Sequence, residues 1–279
     1  FLILSSLIFK VGGAPFHFWV ADVYEGAPYP TTAFMASIGK VGVYSILFKL
    51  CAWLFVSTLI EWQFVLLGAG ALSLVIGSLG ALKQKRIKRF FAYSSIVHVG
   101  FLLIALGIGD HNFISATVLY DAPQSMFITN SLISALLYLF VYVITVLLMF
   151  LVLMNLAFKK TGKPPVYFTD LQGLLIRSSS KKGGLFIVAV GLVVLLLSMA
   201  GIPPFFGFFT KFYILSVLVK YKFNFLICLV IVVTVIGAFY YLRLLKIFFF
   251  EDFSIKSAQT LADREIILLR NYQENSDRV

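Results

Sequence analysis

Three lysines stand where a hydrocarbon environment is expected. Lys10 closes the apolar stretch FLILSSLIFK, Lys40 lies within TTAFMASIGKVGVYSILF, and Lys211 follows the interrupted stretch LLLSMAGIPPFFGFF. An amine in such surroundings is costly and marks a functional position by default. An amine removed from water also gives up its proton more readily than one in solution. A row of such groups bridged by water can therefore relay protons. His98, in the middle of AYSSIVHVGF, adds a fourth group that can take up and release a proton. The chemistry these residue types point to is ion conduction, with Lys10, Lys40, Lys211 and His98 as proton carriers.

Each residue has a plainer alternative. A lysine near the end of a membrane pass can run its stem out to the interface. Lys49, Arg243 and Lys246 are read that way, whereas Lys40 is too close to the middle of its pass for an unstrained exit. His98 could instead be bonded to a neighbouring serine or carbonyl. His17 is read as structural, and His111 is assigned no role. No pass holds a carboxylate for the lysines, since all twelve Asp and Glu fall in loops, at helix ends or in the tail. A buried amine needs a counter-charge or water. That partner is expected outside this sequence; the alternative is that Asp22 and Glu25 fold back.

The elements that carry these groups are apolar and long. The chain of 279 residues is 61% hydrophobic, well beyond the roughly half of a soluble domain, and its mean hydropathy is +0.99. Continuous apolar runs of about 20 residues point to membrane helices, not to the alternation of a barrel. Seven passes are read, over residues 1–20, 31–54, 62–82, 88–108, 131–157, 184–219 and 223–250. Two are interrupted, the first at Gly12, Gly13 and Pro15, the second at Gly201, Pro203 and Pro204. Proline and glycine remove helical hydrogen bonds there, and lipid cannot satisfy the freed groups. Two such breaks suggest an internal repeat with one broken helix in each half.

The net charge of +11 would suggest nucleic acid in a soluble protein, but its distribution has a simpler cause. With seven passes, the loops 83–89 and 158–184 fall on one side and carry eleven Lys and Arg; the loops on the other side carry only Lys220 and Lys222. That bias places the basic loops, and the polar tail 251–279, in the negative compartment. The chain thus divides into a transmembrane part, 1–250, and a surface tail, 251–279. Cys51 and Cys228 give no metal, iron–sulfur or disulfide spacing, and no phosphate-binding glycine motif occurs.

The segment FKVGGAPFHFWVADVYEGAPYPTTAFMASIGKVG resembles the signature of subunit 2 of respiratory complex I (subunit N in bacteria), an antiporter-like subunit of NADH:ubiquinone oxidoreductase. ALKQKRIKRFFAYSSIVHVGFLLIAL, FTDLQGLL and LLLSMAGIPPFFGFFTKFYIL resemble later parts of the same family, so the likeness covers about residues 1–250. The resemblance implies an all-α polytopic fold with one and a partial inverted repeat. It implies that Lys10, Lys40, His98 and Lys211 belong to a hydrated central axis that moves protons. Flavin, iron–sulfur clusters and ubiquinone would bind other subunits, with no cofactor in this chain. It also implies a mitochondrial inner-membrane setting with the basic loops and tail facing the matrix. The family has further helices before this point, one with a glutamate that pairs with the equivalent of Lys10. A separate polypeptide is expected to supply them, and the other membrane subunits of the complex are the expected partners. Two other readings stay open: a subunit of a stand-alone multisubunit cation/proton antiporter, and a membrane scaffold with vestigial lysines.

Overall fold

The computed structural model describes residues 2–51, 59–108, 130–155, 165–171 and 184–250. The tail 251–279, His111 and the six basic residues expected in the loop 158–184 lie outside the described residues. Among the described residues the fold is helical, with no β-strand beyond one isolated antiparallel bridge, Arg86 to Tyr167.

The helices are α1 (Leu2–Val11), α2 (Phe18–Gly26), α3 (Tyr29–Ala36), α4 (Ile38–Lys49), α5 (Leu59–Leu82) and α6 (Ile87–Gly107). They continue as α7 (Asn130–Asn155), α8 (Gly184–Ala200), α9 (Phe206–Lys220) and α10 (Asn224–Phe250). Among the described residues, five segments are long and apolar enough to cross a membrane: the α3–α4 pair, α5, α6, α7 and α10. The protein is a multi-pass membrane protein on this count.

Helix α6 is the axis of the bundle, with almost its whole length buried. It packs closely on α5 because small residues face each other there. A Cβ added at Gly100 would lie 2.9 Å from the Gly70 carbonyl, and one at Gly77 would lie 3.0 Å from the Tyr93 carbonyl. Where lipid competes for every apolar surface, such backbone-close contacts are what bind helix to helix. Around α6 stand α2, α7 and α9, so the residues on α6 are shielded from lipid on several sides.

Both interruptions predicted from Gly and Pro are present, and they share one construction. At the end of α1, Gly12 has φ +77° and Gly201 at the end of α8 has φ +81°. Gly12 N–H donates to Phe9 O and Gly13 N–H to Ile8 O; Gly201 N–H donates to Ser198 O and Ile202 N–H to Leu197 O. These are the paired bonds of a Schellman closure, which needs a left-handed residue that glycine adopts without a Cβ penalty. Three residues after each glycine comes a proline, Pro15 or Pro204, and each follows a cis peptide bond.

One end of the bundle gathers residues from distant loops. Glu25 at the end of α2 pairs with Arg86 and Arg89, and Asp22 pairs with Arg89. Lys88 donates to Ala27 O, Tyr29 donates to Pro165 O, and Arg243 of α10 donates to Leu82 O. The end of α2, the 83–89 loop, residues 165–171 and the later part of α10 therefore meet. Consequently α1–α2 runs towards this end. The α8–α9 segment starts after residues 165–171 and hands over to α10, which returns to the same end, so it runs away. The two broken segments are antiparallel, as an inverted repeat requires.

Two expectations are corrected. Helix α2 continues to Gly26, past residue 20, and takes Asp22 and Glu25 with it. The second pass is not continuous: Ser37, at φ −117° and ψ −83°, separates α3 from α4. Its buried hydroxyl donates to Ala33 O at 2.5 Å, and such back-bonding to the preceding turn bends a helix.

The carboxylate cluster gives a modest stability expectation. Glu25 and its two arginines are partly exposed, and such pairs contribute about 1 kcal/mol or less each. Glu25→Gln is expected to lower the thermal midpoint of the detergent-solubilised protein slightly, without loss of the folded state. A melt that collapses outright would show the cluster to be essential to folding.

Candidate functional site: a buried Lys–Tyr–His cluster

Lys40 lies on α4, three residues beyond the offset at Ser37, and is 4% exposed. Its Nζ donates to the Tyr142 hydroxyl at 3.1 Å and to the Ser95 carbonyl at 3.4 Å. The amine also faces the Tyr142 ring, 5.2 Å from its centroid, a favourable position for a cation over a π system. Among the described residues no carboxylate reaches it.

His98 sits at the middle of α6 and is 5% exposed. Its Nδ1 is paired with the Tyr138 hydroxyl at 2.7 Å, and its Nε2 lies 3.4 Å from the Tyr241 hydroxyl. Tyr241 is paired in turn with Ser94 Oγ. The His98 ring also lies against the Tyr142 ring, with centroids 4.9 Å apart and planes tilted by 36°. Tyr142 thus touches Lys40 through its hydroxyl and His98 through its ring.

Lys211 is half-buried on α9 and reaches back across the second break. Its Nζ donates to Met199 O at 2.7 Å and Ala200 O at 3.0 Å, and lies 5.6 Å from the Phe101 ring centroid. Those carbonyls belong to the last turn of α8, where the helix leaves acceptors without partners and its dipole favours a cation. At the first break, Trp19 Nε1 donates to Phe9 O, and Ser73 of α5 accepts the Ala14 N–H. These backbone groups at the two breaks are therefore held by protein, as irregular backbone at membrane depth requires.

Two small cavities, each of about 10 Å³, adjoin Tyr142. One is lined by Ser95, Tyr142, Met149 and Met199; the other by His98, Tyr138, Tyr142, Ser198, Thr210 and Lys211. Each is close to the space that one water needs. The structure therefore brings Lys40, His98 and Lys211 into one region. It does not bring Lys10 there: Lys10 is exposed on α1, beside the equally exposed Phe9. Within this chain, Lys40 is buried, Lys211 half-buried and Lys10 exposed. Asp22 and Glu25 bind arginines and not lysines, which closes the fold-back alternative. His17 is half-buried, and its Nδ1 stands 3.2 Å from Pro15 O.

Sequence reasoning missed the tyrosines. Tyr138 and Tyr142 are four residues apart and so share one face of α7, a spacing that could have flagged them. Tyr241 carries no comparable local sign.

Among the described residues, a helical membrane bundle with two antiparallel broken segments, a buried amine at Lys40 and a half-buried one at Lys211 has the arrangement of an antiporter-like membrane subunit. The family model described as "NADH:quinone oxidoreductase/Mrp antiporter, TM" matches residues 1–121 and 124–237. The chain belongs to that family. It is 32% identical to NADH-quinone oxidoreductase subunit N 1 of Rhizobium meliloti (strain 1021), over 95% of this chain and 50% of the relative. It is 34% identical to NADH-ubiquinone oxidoreductase chain 2 of Metridium senile, over 96% of this chain and 60% of the relative. Among solved structures it resembles a chain of respiratory complex I from Thermus thermophilus with bound Aureothin, at 30% identity and TM-score 0.67, covering 90% of this chain and 49% of that one. A chain of the Mrp complex from Dietzia sp. DQ12-45-1b shares the fold, with TM-score 0.74 at 20% identity over 90% of this chain and 42% of that one. The chain spans about half the length of the curated relatives it matches.

Proposed function

We propose that this chain is a proton-translocating membrane subunit of an NADH:ubiquinone oxidoreductase, of the subunit 2 (subunit N) type. The observation that carries the reading is the chain of contacts from Lys40 through Tyr142 to the cavity that His98 and Lys211 line. Protons would move along these groups and intervening water, while electron transfer and the flavin, iron–sulfur and ubiquinone chemistry occur in partner subunits. The seven-pass arrangement belongs to this reading, with α1–α2 and α8–α9 as the two broken passes. So does placement in the mitochondrial inner membrane, with the basic end on the matrix side. The Metridium senile relative supports that compartment, and bacterial relatives leave a cytoplasmic-membrane version as the competing one.

Lys10 enters through a partner. It stands exposed beside exposed Phe9, on a helix whose Leu2 and Ile3 are also exposed. Helices from a separate polypeptide would cover this surface and bring a carboxylate to the amine. The stand-alone cation/proton antiporter remains the second reading, because the Mrp chain shares the fold.

Affinity purification of the full chain from its native membrane separates the two. Co-purification with flavin- and iron–sulfur-containing proteins and NADH:quinone activity is the expected result. A complex of membrane subunits alone, without redox protein, would overturn the reading. Carbodiimide treatment of the same preparation should cross-link Lys10 to a carboxylate on another polypeptide.

A further inference from the structure

We infer that the Tyr142 hydroxyl is the proton bridge between Lys40 and the cavity shared by His98 and Lys211, an inference that rests on the proton-translocation reading above. Four observations meet at this side chain. Its hydroxyl accepts the Lys40 Nζ–H at 3.1 Å. Its ring lies against His98, tilted by 36° with centroids 4.9 Å apart, and its centroid is 5.2 Å from the Lys40 amine. It lines both cavities, the one towards Ser95 and the one towards Lys211. Among the described residues, no other side chain hydrogen-bonds the Lys40 amine; the second acceptor, Ser95 O, is a backbone carbonyl and cannot pass a proton on.

The transfer balances as two coupled movements. One N–H bond of the Lys40 ammonium breaks as an O–H bond forms on Tyr142. The original Tyr142 O–H breaks, and its proton goes to a water in the cavity beyond, from which a neutral Lys211 amine or His98 nitrogen can take it. Tyr142 ends as it began, neutral, with its hydroxyl hydrogen turned the other way. A hydroxyl suits this task because it donates and accepts at once. Tyr138 does not duplicate it, since its hydroxyl is paired with His98 Nδ1 and not with a lysine.

Tyr142→Phe keeps the ring, its tilted contact with His98 and the cavity wall, and removes only the oxygen. In the assembled complex reconstituted into vesicles, proton pumping by Tyr142→Phe is expected to fall about tenfold or more. A positioned proton-transfer group supplies about a hundredfold or more, and water replaces part of it. The solvent deuterium isotope effect on the remaining rate is expected to rise, a change that loss of packing alone would not cause. Lys40→Met is measured beside it. If Lys40→Met abolishes pumping while Tyr142→Phe pumps as the parent does, the bridge is refuted and the function stands. If Lys40→Met also pumps normally, the translocation reading itself fails. A slow Tyr142→Phe with an unchanged isotope effect would also refute the bridge, and would assign Tyr142 a packing role.

Discussion

Lys40→Met is expected to leave the complex assembled and to stop proton movement through this subunit. The two halves of that expectation have separate causes. Lys40 is buried, with a hydroxyl and a carbonyl as its hydrogen-bond acceptors and no carboxylate in reach among the described residues. Replacing a buried charge by an apolar chain of similar length is often neutral or stabilising, because the cost of desolvation disappears. Assembly should therefore survive, as blue-native electrophoresis can check. The carrier itself is lost, so Tyr142 has no amine to receive from. Pumping, read with a pH-sensitive dye in vesicles, should fall by about tenfold or more, in line with removal of a proton-transfer group. Lys40→Arg sharpens the test. A guanidinium keeps the positive charge but does not release it at any accessible pH. It should be as defective as Met if proton exchange is what matters. Normal pumping by Lys40→Arg would mean that a fixed charge suffices, and the carrier role would fall.

The residues differ in how far their surroundings could be read beforehand. Lys40 and His98 were legible because their cost in an apolar pass is a property of residue type alone, and both are buried as that cost implies. The breaks were legible too. Gly12 with Pro15, and Gly201 with Pro204, combine a residue that tolerates positive φ with one that lacks an N–H. What stayed hidden depended on partners. The exposure of Lys10 is set by what packs on α1, which its own stretch does not encode. The offset at Ser37 arises from a side chain that bonds its own helix, and a serine in an apolar run gives little sign of whether it will do so. Tyr138, Tyr142 and Tyr241 look like ordinary aromatic filling until α6, α7 and α10 are brought together around His98. A hydroxyl becomes functional there by its neighbours, not by its position in the chain.

Gly207→Ala is the structural counterpart, and its expected effect is on the second break rather than on the carriers themselves. Gly207 is the second residue of α9 and is buried. Its N–H donates to Ser198 Oγ at 3.3 Å, and a Cβ at this position would overlap the Ser198 backbone carbonyl. A backbone atom inside a helix cannot turn aside as a side-chain tip can, so α8 and α9 must separate. Lys211 is four residues further along the same face of α9, and its amine holds Met199 O and Ala200 O at 2.7 and 3.0 Å. Separation would stretch both bonds and expose the end of α8. Overpacking of this kind costs about 1–3 kcal/mol before those bonds are counted. Gly207→Ala should therefore show a clearly lowered thermal midpoint, reduced assembly and slow pumping together. Gly191→Ala on α8 is the matched comparison, since a Cβ there meets nothing within 4 Å. It should be neutral or gain up to about 1 kcal/mol from the better helix propensity of alanine. Equal melting curves for the two variants would show that the close approach of Gly207 to Ser198 does not hold the break together.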